Sequence, residues 1–143
     1  MYQNCEVSQI MSGQYCIIRT CADIERFQDV SNGLHDGYIT HVEYNNKGIS
    51  AVEHGLHFDY TGLSLIIHVL VTSLPNHPTF EISFRNISEW QIKSFHFSDM
   101  IGFRILILED GTFLWADDIS CHIDDLKQGS YVIAESIQYR LLS

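Results

Sequence analysis

The stretch from Leu63 to Phe84 constrains the fold more than any other. In Leu63-Ser64-Leu65-Ile66-Ile67-His68-Val69-Leu70-Val71 every odd-numbered residue is a large aliphatic, the period of a buried strand face. The opposite face (Ser64, Ile66, His68, Leu70) is half apolar. Pro75 and Pro78 then stop regular structure by restricting φ and removing backbone donors. Thr79-Phe80-Glu81-Ile82-Ser83-Phe84-Arg85 resumes the alternation, with Phe80, Ile82 and Phe84 inward. Two such runs joined by a short polar loop predict the central hairpin of an antiparallel sheet.

The rest of the chain supplies further strands and one helix. Gln14 to Arg19 has extended character. Thr20 to Gly33 predicts an amphipathic helix near residues 21–32: Thr20 is its N-cap, with Asp23 three residues on, and Ile24, Phe27 and Val30 share one side. Asn32-Gly33 suits the left-handed conformation that ends a helix. Tyr38 to Tyr44 alternates as a strand, Asn45-Asn46-Lys47-Gly48 has hairpin-turn composition, and Ile49 to Tyr60 is the expected return, with Gly55 at a bulge. Asn86 to Glu89 breaks the pattern, and Trp90 to Phe97 is extended again, with a phase change near Ser94. Asp110-Gly111 between the apolar runs 103–108 and 112–116 predicts another hairpin. A short helical turn fits Asp124 to Lys127. Residues 130–142 read as a strand from Tyr131, Val132, Ile133, Ile137 and Tyr139, or as a helix from Ile133, Ile137 and Leu141. The class is α+β dominated by antiparallel β, a curved sheet or sandwich of about seven or more strands, in a single domain spanning 1–143.

Eighteen acidic against eight basic residues give a formal charge of −10. That argues against nucleic acid or an anionic membrane as partner, since both need a basic footprint. It favours a basic protein partner reached by electrostatic steering. No run approaches the ~20 apolar residues of a membrane span. Met1 to Glu6 has neither a basic nor an apolar leader region, so a cytoplasmic location is expected. Cys5, Cys16, Cys21 and Cys121 lack C-x-x-C spacing and are expected as free thiols.

The candidate sites are of two kinds. His54-Gly55-Leu56-His57, with His35 and His41, offers imidazoles for a metal-dependent or small-ligand β-barrel. On a strand, however, a spacing of three puts His54 and His57 on opposite faces. His35-Asp36 reads as a turn more readily than as a catalytic pair. The densest acidic segment is Asp117-Asp118-Ile119-Ser120-Cys121-His122-Ile123-Asp124-Asp125, without the alternating ligand ladder of an EF-hand loop. Glu109 and Asp110 lie on the neighbouring hairpin tip, and Trp115 offers an aromatic anchor. No nucleophile elbow, phosphate-binding glycine loop or H-E-x-x-H motif occurs, so neither an enzymatic activity nor a cofactor is expected.

Leu34-His35-Asp36-Gly37-Tyr38-Ile39, Leu63 to Val71 and Thr79 to Ile87, about a third of the chain, resemble the small bacterial β-rich immunity proteins of toxin–immunity systems. The resemblance implies an acidic cytosolic inhibitor of a basic, nuclease-type toxin. The expected function is thus a non-enzymatic acidic binding protein covering a toxin's active cleft. Asp117, Asp118, Asp124, Asp125, Glu109, Asp110 and Trp115 are the expected contact residues. The histidine barrel and a structural or assembly subunit, with self-association into a homo-oligomer, are the alternatives.

Overall fold

A computed structural model describes residues 12–93 and 99–142. Its strands are β1 (Cys16–Ile18), β2 (Gly37–Asn46), β3 (Ile49–Val52), β4 (Gly55–Phe58), β5 (Leu63–Val71), β6 (Thr79–Gln91), β7 (Arg104–Ile107), β8 (Phe113–Ala116) and β9 (Tyr131–Leu141). Helix α1 spans Cys21–Val30 and the single turn α2 spans Ile123–Leu126. The main sheet has seven strands in the order β2-β5-β6-β9-β8-β7, with β1 beside β9, and every pairing is antiparallel. It does not close into a barrel. The class is the mostly antiparallel α+β arrangement that the sequence predicts.

The central hairpin forms as its pattern requires. Leu65, Ile67, Val69 and Val71 are fully buried opposite Phe84, Ile82, Phe80 and the start of β2. On β9, Ile137 and Tyr139 continue the same face, because they sit across from Phe84 and Ile82. Helix α1 covers this face: the Phe27 ring stacks on Tyr139 at 4.0 Å and 10°, and also meets Phe80 and Phe103. The helix begins as its sequence dictates. Thr20 Oγ1 accepts from the Asp23 N–H, and Asp23 returns the bond by accepting from the Thr20 N–H. A 3-10 turn, Asn32–Leu34, follows α1, with Asn32 and Gly33 both at positive φ.

Three expectations are corrected. Asn45 to Gly48 does not fold β2 back on the next segment; β2 pairs with β5 along its length. Residues 49–58 instead make a separate ribbon in which β3 pairs with β4, and Gly55, at φ 145°, follows the turn rather than forming a bulge. Gly48 and Gly62 close the base of that ribbon, because a Cβ on Gly62 would run into the Gly48 backbone. Asn86 to Glu89 does not end a strand. Asn86 takes φ 54° and the register shifts between Ile87 and Glu89, so Ile87 rejoins the core three residues after Phe84 while β6 runs on to Gln91. Residues 131–141 form the strand that Tyr131, Val132, Ile133, Ile137 and Tyr139 favour, because pairing with β6, β8 and β1 outweighs the helical spacing of Ile133, Ile137 and Leu141. The phase change expected near Ser94 lies outside the described residues.

Candidate functional site

The acidic segment sits where β8 passes to β9, with α2 between them. Asp124 and Asp125 are exposed in α2, and Asp118 is half-buried, its Oδ1 accepting from the Ile119 N–H at 2.7 Å. Asp117 differs from them. Its Oδ1 accepts from the Ser130 N–H at 3.0 Å, and burial pushes its pKa up against that hydrogen bond. Asp117 is therefore a structural tie between the end of β8 and the start of β9. Glu109 and Asp110 are exposed on the β7–β8 tip, where Asp110 Oδ1 accepts from the Thr112 N–H and hydroxyl. Four-residue β8 separates that tip from Asp117 by about 13 Å of strand, so the two acidic groups do not merge into one cluster.

Trp115 is not a surface anchor. It is 0% exposed, lies across from Val132 on β9, and meets the edge of the Phe84 ring at 5.9 Å. All four residues of β8 are buried, since α1 and the main core lie on one face while Leu126 of α2 packs with Leu114 and Ala116 on the other. The fully apolar run Phe113-Leu114-Trp115-Ala116 was the signal for this burial, since a half-exposed strand would alternate.

The histidines do not converge. His35 Nδ1 donates to the Ile101 carbonyl at 2.9 Å, which ties a loop, and His54 and His57 stand on the β3–β4 ribbon away from the main sheet. Among the described residues no three His, Cys, Asp or Glu side chains gather as metal ligands. Cys16, Cys21 and Cys121 are free thiols, whereas Cys5 lies outside the described residues.

The densest polar constellation is one the sequence does not announce. Glu81, 4% exposed, points to the side of the sheet opposite α1. Its Oε1 accepts from Tyr15 Oη and from Arg140 Nε at 2.9 Å. Its Oε2 accepts from His68 Nε2 at 2.9 Å and from an Arg140 terminal nitrogen at 3.2 Å. Arg140 also lies over the Tyr15 ring at 4.5 Å, and His68 packs against His41 with ring centroids 4.7 Å apart. Burial would push the Glu81 pKa up, but the hydrogen bonds from Tyr15, Arg140 and His68 outweigh it and hold the carboxyl below its usual value. The Tyr15 phenol is pushed up by its own burial and by the Glu81 carboxylate it donates to.

Four donors fill the acceptor positions of this carboxylate. Glu81 therefore has no lone pair left with which to take a proton from a substrate or to bind an ion. Its work is to fix strands β5, β6 and β9 and the Tyr15 segment to one another. No sequence pattern could have found this cluster, because residues 15, 68, 81 and 140 meet only through sheet register.

Comparison with protein-family models, with curated proteins and with solved structures gives no match. No helix among the described residues is long and apolar enough to cross a membrane.

Proposed function

We propose that this chain is a non-enzymatic acidic binding protein that covers a basic surface on a protein partner, in the manner of an immunity protein occupying the cleft of a nuclease-type toxin. The observation that carries this reading is charge segregation. Between Ile105 and Tyr139 the chain has seven carboxylates (Glu109, Asp110, Asp117, Asp118, Asp124, Asp125 and Glu135) and one basic side chain besides histidine, Lys127. Lys127 is itself paired with Glu89 at 3.1 Å, so it does little to offset the acids beside it. Exposed carboxylates on a short helical turn and its flanking loop can occupy positions that nucleic-acid phosphates take on a basic enzyme, and they speed the encounter by steering.

The test uses the full chain, without a tag that adds charge, as bait in extract from its native source. The reading expects retention of one basic protein, loss of that protein at high salt, and inhibition of its nuclease activity by added bait. Charge reversal by Asp118→Lys, Asp124→Lys and Asp125→Lys should abolish retention in a variant that still folds. Retention indifferent to salt and to these reversals, or no retained protein at all, overturns the reading.

A further inference from the structure

A sheet that does not close has two outer edges, and each offers backbone donors and acceptors to whatever can pair with them. Here those edges are β2 and β7. β7 is four residues long and begins with Arg104, so it is blunted by its shortness and its charge. β2 is ten residues long, and Met100 pairs with its first residue, Gly37. A register shift kinks it between Ile39 and His41, but from His41 to Asn46 it is regular and holds no Lys, Arg or Pro. Thr40 to Tyr44 are all exposed. The Lys47 N–H donates to the Gly62 carbonyl at 2.8 Å. Alternation from that bond turns Asn45, Glu43 and His41 toward β5 and points the N–H and C=O of Val42 and Tyr44 out of the sheet. Among the described residues nothing bonds to those outward groups.

The side chains of this edge select its occupant. Val42 and Tyr44 share the core side of the sheet with their partners Ile67 and Leu65, yet are 37% and 45% exposed. His41 and Glu43 lie on the other side, where the His41 ring packs on His68. Glu43 Oε1 stands 3.7 Å from His41 Nε2, too far for a hydrogen bond, and Glu43 Oε2 accepts from Asn45. A second copy meeting this edge about a two-fold axis at Val42 sets Val42 against Val42, Tyr44 against Thr40, and His41 against Glu43 twice over. Moving the axis by one residue opposes Glu43 to Glu43 or His41 to His41. Centring it on Tyr44 sets Val42 against Asn46 and Glu43 against Asn45. Of these four registers, the one at Val42 alone joins apolar to apolar and imidazole to carboxylate.

We infer that two copies of this chain join edge to edge through β2, antiparallel, with Val42 on the two-fold axis and His41 of each copy opposite Glu43 of the other. The pairing needs nothing from the acidic loop, so its failure and that of the binding reading above are separate outcomes. Each copy carries −10, a repulsion that physiological salt screens beyond about 8 Å, whereas the His41–Glu43 pairs act at contact. Five exposed residues per copy, against about 20–30 a side in a standard interface, make the dimer reversible and concentration-dependent.

The experiment is sedimentation of the untagged full-length protein at physiological salt over a series of concentrations. The wild type should show a monomer–dimer equilibrium. Val42→Pro removes an N–H that faces away from β5 and should abolish the dimer. His41→Glu and, separately, Glu43→Lys set like charge against like and should each weaken it at least tenfold. An equimolar mixture of those two variants gives each a complementary edge and should associate at least tenfold more tightly than either alone. A wild type that stays monomeric throughout overturns the inference, and so does a dimer indifferent to Val42→Pro. A mixture no tighter than its components overturns the register and the inference with it. Should Val42→Pro fail to fold, the mixture decides, because His41 and Glu43 are exposed and equal unfolding midpoints verify the folding of their variants. A monomer that retains another protein from extract, and loses it on Val42→Pro, overturns the second copy in favour of a strand added by a partner.

Discussion

His68 on β5 and Glu81 on β6 are direct cross-strand partners, and the imidazole Nε2 donates to the carboxylate at 2.9 Å on the side of the sheet opposite α1. Arg140 meets the same carboxylate from β9, so a single buried charge joins three neighbouring strands. Removing it leaves Arg140 and His68 without their shared acceptor. Glu81→Ala should cost about 3 kcal/mol, toward the low end for breaking a buried pair because Arg140 and His68 keep some contact with water. Urea unfolding of the variant against the wild type measures this.

Glu81 and Asp117 should give opposite pH signatures. The Glu81 pKa is depressed in the folded state by the hydrogen bonds from Tyr15, Arg140 and His68, so its contribution is present at neutral pH and is lost as pH falls below the ordinary glutamate value and through the folded one. The Asp117 pKa is raised by burial, so its ionised form costs stability once pH rises past the unfolded value. Glu81→Gln should therefore flatten the acid limb of the stability curve and lower its neutral plateau. Asp117→Asn, which keeps an acceptor for the Ser130 N–H, should hold or raise the plateau. Unfolding midpoints between pH 3 and 8 distinguish the two.

Trp115 and the α2 acids should separate core from surface. Trp115→Ala should destabilise the fold by about 4 kcal/mol, since it empties a fully buried site. Asp124→Lys with Asp125→Lys should change stability by no more than about 0.5 kcal/mol. Parallel thermal melts of the two variants provide the check.

The helix start offers a smaller, cleaner test. Thr20→Ala removes the acceptor of the Asp23 N–H and should cost about 1 kcal/mol. Phe27→Ala, which removes the ring stacked on Tyr139, should cost about 4 kcal/mol. The difference between the two in denaturant unfolding measures how much α1 contributes through packing beyond its cap.

What could be read in the chain was whatever neighbours in sequence decide. Leu63 to Val71 declares a strand because its period and its burial coincide, and Thr20 with Asp23 declares a helix start because both bonds of the capping box are local. Asp110-Gly111 declares the β7–β8 hairpin for the same reason. Pairing over distance was not legible. Asn45 to Gly48 has the composition of a turn, yet nothing in it says that β2 will prefer β5 and leave 49–58 to pair with itself. Nor does any local pattern announce that Tyr15, His68, Glu81 and Arg140 will meet. Of the nominated contact residues, the exposed acids could be picked out from charge alone. The burial of Trp115 was legible in the unbroken apolar run of β8, and it comes from the main core lying over the face that Trp115 shares with Phe113.

β9 has a consequence for the order in which the protein takes shape during synthesis. One of its edges is held by β6 along its whole length, and the other is divided between β8 and β1. Every one of those partners precedes it in the chain, and Cys16 finds Tyr139 across more than a hundred residues. Until β9 leaves the ribosome, β6 presents an open edge and β1 has no neighbour in the sheet. The nascent chain can close the β5–β6 hairpin early, but the sheet must wait for its central strand. Folding should accordingly be slow for a domain of this size, and the emerging chain a natural client for chaperones.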